Sequence, residues 1–223
     1  MLPVEINDLN AFDEHLYEKL AYSPLEVLKL METSLKNYLK ERKDEYPACP
    51  DEDWQVILRS DDNPIKIRDI KSSMVSRLFV ISGIIISSTK PYIKASKLKI
   101  QCKNCLNTKT IELSPGQYPY VPSFCEGQAG HTQKCPKDSF VPMPNSEVID
   151  SQNLKIQEFP EDIPTGEVAR TYSLVVDRKN VSLCVPGDRV RITGVMLVND
   201  LKIEQLNKGY LYVTGIQKIK ERT

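Results

Sequence analysis

Four of the six cysteines are spaced for metal chemistry. Cys102 and Cys105 form a CxxC pair, Cys125 follows after a gap of 19 residues, and Cys135 comes after nine more. A CxxC pair puts two sulfurs on one tight turn, and two further thiolates complete a tetrahedron. That closed arrangement holds structural zinc and leaves no open coordination position. The segment 106–144 holds six prolines and three glycines with little hydrophobic periodicity. A single zinc ion is therefore expected to supply the folding energy that no core can. The competing readings are a redox CxxC, or buried cysteines unrelated to one another; no thioredoxin-like βαβ pattern surrounds the motif. His131, between Cys125 and Cys135, is the rival ligand. Cys49 and Cys184 stand outside the spacing and read as ordinary residues, Cys184 as a small core hydrophobe.

Catalytic patterns do not accompany this motif. The sequence has no GxxxxGK[ST], the loop whose amides cradle nucleotide phosphates. His15 and His131 are the only histidines, and neither sits in a recognisable nucleophile motif. Carboxylate pairs such as Asp61-Asp62 and Glu161-Asp162 read as loop charges. A Cys-only zinc site is itself catalytically idle. The expectation is a non-enzymatic chain.

The 223 residues carry 30 basic and 30 acidic side chains, with 40% apolar and 27% charged, an ordinary globular composition. The longest apolar run, 78–86, is far shorter than the roughly 18 to 20 residues that span a bilayer, and residues 1–20 lack the pattern of a signal peptide. Neither a membrane nor a small-molecule substrate is expected as a partner. Six cysteines without a secretory signal suggest a cytosolic or nuclear protein. The zero net charge hides segregation: residues 1–64 hold 7 basic and 15 acidic side chains, residues 65–109 hold 10 and 1, and residues 110–223 hold 13 and 14. The basic block, with Lys94, Lys97, Lys99 and Lys103 among its members, resembles the footprint of a polyanion, although a charge run can equally be a solvated face.

The elements that must position these groups change texture along the chain. Leu9, Phe12, Leu16 and Leu20, then Leu25, Leu28, Leu35 and Leu39 after Ser23-Pro24, have helical spacing, and Pro24 suits a first helical position. The stretch 44–53 with Pro47, Cys49 and Pro50 ends this helical part and leads to a short apolar piece, 54–58. From residue 78 the β-branched stretches 78–86, 93–102, 154–159, 172–176, 189–198 and 210–216 read as strands. In the second, Leu98 and Ile100 take one face and Lys97 and Lys99 the other, which must be wet or ligand-facing. Gly83 and Gly194 interrupt strong strands, as at a bulge or a barrel corner, so a small barrel fits better than a flat sheet.

The order of parts, together with several strings, resembles the N-terminal domain of minichromosome maintenance (MCM) replicative helicase subunits. The strings are Ile67-Arg-Asp-Ile, Val80-Ile-Ser-Gly-Ile-Ile-Ile, Ile100-Gln-Cys-Lys-Asn-Cys, the stretch from Gln157-Glu-Phe-Pro to Val-Ala-Arg170, and Pro186-Gly-Asp-Arg-Val-Arg-Ile-Thr-Gly194. Ile84-Ile-Ile, Gln101-Cys-Lys-Asn-Cys, Gln128-Ala-Gly and Lys134-Cys-Pro are most similar to one particular eukaryotic subunit of that family.

The resemblance implies an α+β fold, mainly β: a helical subdomain at 1–64, and an OB-fold β-barrel split into 65–101 and 150–223. A zinc-binding insertion at 102–149 interrupts the barrel. Residue by residue it places zinc ligands on Cys102, Cys105, Cys125 and Cys135. It places an inter-tier signalling loop at about 175–185 with Arg178 and Lys179, and a DNA-facing hairpin at about 197–209 with Lys202 and Lys208. That hairpin is shorter and less basic than the family pattern. The implied function is the non-catalytic tier of a replicative helicase subunit, nuclear and chromatin-associated with a possible cytoplasmic pool, forming a heterohexamer with other MCM subunits around DNA. DNA contact without sequence preference would use Lys94, Lys97, Lys99, Lys202 and Lys208. The alternatives are a protein-interaction module of the ring with negligible DNA binding, and a free-standing zinc-ribbon OB protein acting on single strands.

Overall fold

The computed structural model describes residues 2–42, 54–113, 121–125, 135–198 and 209–219. Among them the chain is α+β and mainly β, with three α-helices. Two compact units emerge, Met1–Pro91 with Gln152–Thr223, and Tyr92–Ser151. No helix among the described residues is long and apolar enough to cross a membrane.

In the first unit Asp13 ends α1 (Ile6–Phe12) and caps α2 (Glu14–Tyr22), its carboxylate accepting the amides of His15 and Leu16 at 2.9 and 3.2 Å. These are amides that a helix start would otherwise leave unpaired. The break resets the helical phase. Phe12, expected on the apolar face with Leu9, Leu16 and Leu20, is instead 86% exposed, while Ile6, Leu9 and Leu20 are buried. The third helix, α3 (Pro24–Glu41), starts on Pro24 as expected, although Ser23 makes no side-chain capping bond. Val27 and Leu28 of α3 pack with Leu20, Ile6 and Leu9 against a short parallel pair, β1 (Leu2–Glu5) and β2 (Val56–Arg59). The stretch 44–53, including Cys49, lies outside the described residues.

The rest of this unit is built on β3 (Leu78–Ser88), the later part of β7 (Glu147–Gln157), β8 (Thr171–Asp177), β9 (Arg189–Val198) and β10 (Gly209–Lys218). Neighbours run β3, β9, β10, β8, β7, and β3 also pairs with β7, so each of these strands has a partner on both sides. Ile81, Ile85, Ile156, Leu174, Val176, Val190, Ile192 and Leu211 fill the interior, each fully buried, and Cys184 joins them as a buried hydrophobe. Gly83 stays in regular register with Val190, and Gly194 with Val213. The register shifts fall next to them, between Ile85 and Ser87 and between Val213 and Gly215. Neither glycine is itself a bulge; a Cβ on Gly83 would lie 2.3 Å from the Gln157 carbonyl oxygen, and one on Gly194 2.7 Å from that of Tyr212. Close backbone approach is what requires them.

A polar clamp links residues far apart in the chain. The Arg68 guanidinium donates to both oxygens of Glu158 at 3.0 and 2.8 Å and to Glu167 at 2.8 Å, and Glu158 also accepts the Arg170 amide at 3.1 Å. Glu158 is almost fully buried, so its charge is tolerable only because these donors meet it. Arg68 holds the Glu158 carboxyl below the usual carboxylate range.

In the second unit, β4 (Tyr92–Cys102) pairs antiparallel with β5 (Thr108–Glu112), with β6 (Phe140–Pro142) and with the first residues of β7. The strand expected at 154–159 begins seven residues earlier, at Glu147, and ends at Gln157. Its N-terminal part carries Glu147, Asp150, Ser151, Gln152 and Asn153, so apolarity alone does not mark it.

Candidate functional site

At its C-terminal end β4 delivers Cys102 into a turn that β5 immediately reverses. The Leu106 amide donates to the Cys102 carbonyl at 3.0 Å and the Cys102 amide to the Asn107 carbonyl at 2.9 Å. This tight loop brings Cys105 back beside Cys102. Leu106 takes a left-handed φ of 58° to complete it, a conformation that costs a residue with a Cβ about 1–2 kcal/mol. A second loop supplies the other pair: Asp138, also left-handed, donates its amide to the Ser123 carbonyl at 2.7 Å, and Lys103 donates to the Ser139 carbonyl at 2.9 Å. Cys125 and Cys135 therefore face the first turn.

The four sulfurs, Cys102, Cys105, Cys125 and Cys135, all lie within 4.8 Å of one another. Ligands at the ordinary Zn–S length of about 2.3 Å stand roughly 3.8 Å apart at the corners of a tetrahedron, so the donor set fits a metal ion of this kind. Cys105 and Cys125 are 3.4 Å apart, and Cys102 lies 3.2 Å from the Ser139 hydroxyl. The Cys105 amide, then the Ser139 hydroxyl, draw the Cys102 thiol down to about 6. Loss of solvent, then hydrogen bonding to Cys105, pushes Cys125 up to about 12, and burial raises Cys135 as well. Cys102 is thus favoured as a thiolate while Cys125 and Cys135 resist losing their protons; a dication bound by the cluster would make its thiols anionic together. Ser139 carries no spacing signal in the sequence and becomes visible only through β6. His131 lies outside the described residues.

The basic residues part company. Leu98 and Ile100 are buried on one face of β4, and Lys97 and Lys99 lie on the other, as alternation requires. Lys97 is committed to Glu147, 3.0 Å away. Lys94 lies half-buried on β4, and Lys202 and Lys208 lie outside the described residues. β9 and β10 pair antiparallel from Val198 opposite Gly209, the register a hairpin needs, with 199–208 also outside the described residues. Beside the cysteines, Leu106 is 66% and Phe124 69% exposed, and Val121 is exposed too.

Arg178 and Lys179 open a single 3-10 turn after β8. Arg178 makes a two-pronged ion pair with Glu32 of α3 at 2.6 and 3.1 Å, and the Lys179 amide donates to the Gln55 side chain at 2.9 Å. Sequence spacing could not reveal either partner, because both are distant in the chain.

Residues 66–200 match the family described as the MCM OB domain, and residues 1–60 match the MCM N-terminal domain. The chain is similar to the DNA replication licensing factor mcm5-B of Xenopus laevis, 36% identical over all of this chain and 32% of that protein. It is also similar to MCM5 of Oryza sativa subsp. indica, 34% identical over 98% of this chain and 32% of that protein, and to Mcm5 of Drosophila melanogaster, 36% identical over 87% and 27%. The chain spans about a third of the length of the curated relatives it matches.

Proposed function

The chain belongs to the MCM family, within its N-terminal and OB region, and from that premise we propose that it is the non-catalytic N-terminal tier of a subunit of the fifth MCM type. In this reading it assembles with other MCM subunits into a heterohexameric ring around DNA, in the nucleus and on chromatin. The whole protein is an ATP-dependent helicase subunit whose chemistry lies in other parts. The observation that carries the reading is the match of both N-terminal families, at 1–60 and 66–200, together with fifth-subunit relatives aligned over nearly the whole chain.

The four clustered thiols hold one structural zinc, with Cys102, Cys105, Cys125 and Cys135 as ligands. Zinc supplies charge neutralisation and a fixed vertex for two loops; the residues themselves set the vertex by the turn at Leu106 and the Asp138–Ser123 bond. Domain limits follow the same reading: helical subdomain 1–64, OB-fold parts at 65–101 and 150–223, zinc insertion 102–149. Within the last part, 175–185 with Arg178 and Lys179 is the inter-tier signalling loop, and 197–209 is the DNA-facing hairpin.

DNA contact is sequence-independent and weak, through Lys94, Lys97 and Lys99 and through Lys202 and Lys208. Fluorescence anisotropy against a single-stranded oligonucleotide tests it. Log affinity should fall with log salt by roughly 0.7 per neutralised phosphate, and Lys97→Glu with Lys99→Glu should weaken binding in a chain that circular dichroism shows still folded. A second reading, a protein-interaction module with negligible DNA binding, is favoured by the exposed Leu106, Val121 and Phe124 beside the cysteines and by the engagement of Lys97 with Glu147. Absence of binding at low salt, or indifference to the double substitution, decides for that second reading.

A further inference from the structure

The turn that carries Arg178 is held in an uncommon backbone conformation by side chains that belong elsewhere. Arg178 has φ 54° and Ser182 φ 61°, left-handed values that non-glycine residues keep only where the surroundings over-determine them. At one end the holders are Glu32 and Gln55. Glu32 takes the Arg178 guanidinium fork on fork and also accepts the Val56 amide at 3.4 Å. Gln55, buried just before β2, accepts the Lys179 amide. At the other end the Ser182 amide donates to the Gln152 side chain at 2.9 Å, itself fixed by donation to Ser88 and to the Thr89 carbonyl. Asn180 between them is buried and donates to the Val213 carbonyl at 3.5 Å.

The two ends differ in what holds them. Gln152 sits on β7, paired into the strand framework, whereas Glu32 and Gln55 sit on α3 and beside β2, which pack as a separate small core. The Arg178 and Glu32 side chains are only 29% and 18% exposed, so separating them would leave two desolvated charges to find new partners. A guanidinium and a carboxylate in bidentate contact are also a directional fastening that tolerates little sliding.

We propose that docking of the helical part sets the conformation of the 178–182 turn. With α3 and β2 seated, Glu32 and Gln55 hold Arg178 and Lys179 in the left-handed turn. When they lift, the turn relaxes toward ordinary backbone angles and presents Arg178 and Lys179 to another surface. The coupling is reciprocal: anything that captures the Arg178 guanidinium loosens α3 by the same factor. This rests on the reading of 175–185 as the inter-tier loop, and gives that loop its regulation.

Hydrogen exchange by mass spectrometry on the full chain tests it without other subunits. Glu32→Gln should speed amide exchange in 178–182 by about fivefold or more, the lower range of measured site-to-site couplings, and Arg178→Gln should speed exchange in α3 likewise. Glu32→Arg combined with Arg178→Glu should return both segments toward the parental rates, which a merely destabilised fold would not do. Unchanged exchange in 178–182 on Glu32→Gln, or acceleration spread evenly over every segment, overturns the proposal. Failure of the ring-tier reading shows differently, as a chain that does not join other MCM subunits while the exchange coupling persists.

Discussion

At the scale of single residues, the cysteine cluster and the Glu158 clamp make opposite demands on their charges. The four thiols lie close enough together to share one cation; with the proposed zinc as that cation, Cys125→Ser removes one of four ligands and should release it and unfold the loops around it, read by elemental analysis and by circular dichroism. A variant that keeps one zinc per chain contradicts the ligand set. Glu158 already has its counter-charge in Arg68. Its carboxyl lies below the ordinary range when folded, so the unfolded chain binds the proton more readily as pH falls from about 4.5. The clamp therefore contributes stability that is complete above that pH and is lost as pH drops through the folded value. Glu158→Gln should flatten this acid limb of the melting temperature against pH; an unaltered limb assigns acid sensitivity elsewhere.

At the scale of elements, the docking of β2 on β10 hangs on one missing side chain. A Cβ on Gly215 would sit 1.8 Å from the Leu58 carbonyl oxygen, backbone that cannot swing aside, so Gly215→Ala should destabilise by about 1–3 kcal/mol, the usual range for overpacking, and should speed exchange in β2. Gly187, with φ 100° and open space around its Cβ position, should cost only the backbone strain of about 1–2 kcal/mol on substitution by Ala, with β2 unaffected. Denaturant melts with exchange readout separate the two. Most of the strands were legible because β3, β8, β9 and β10 are rich in β-branched and aromatic residues and because Lys97, Leu98, Lys99 and Ile100 of β4 alternate. What the sequence hid was either non-local or too short to show a period. β1 exists because β2 pairs with it from far along the chain, and β5 and β6 exist because the cysteine turns fold them against β4. The break at Asp13 was present in the sequence as a capping residue, but the apolar spacing ran through it and concealed the change of phase. The four thiols were legible in full from spacing, whereas Ser139, Glu32 and Gln55 were not, since nothing local distinguishes a Ser, Glu or Gln that meets its partner only in three dimensions.

At the scale of the whole molecule, charge segregation in the sequence resolves into different roles in the fold. Arg68 of the basic block serves the internal clamp and Lys97 meets Glu147, so the surface left for phosphate is smaller than ten basic residues suggest. Under the proposed ring assembly little more is needed, because each further subunit would add its own sequence-independent phosphate contacts. The most direct test of the central claim is native mass spectrometry of this chain, alone and mixed with the N-terminal regions of the other MCM subunits, with and without a zinc chelator. The expected result is one zinc per chain and a hetero-oligomer that contains this chain and is lost on chelation. A chain that carries no zinc, or that stays apart from the other subunits while they assemble, contradicts it.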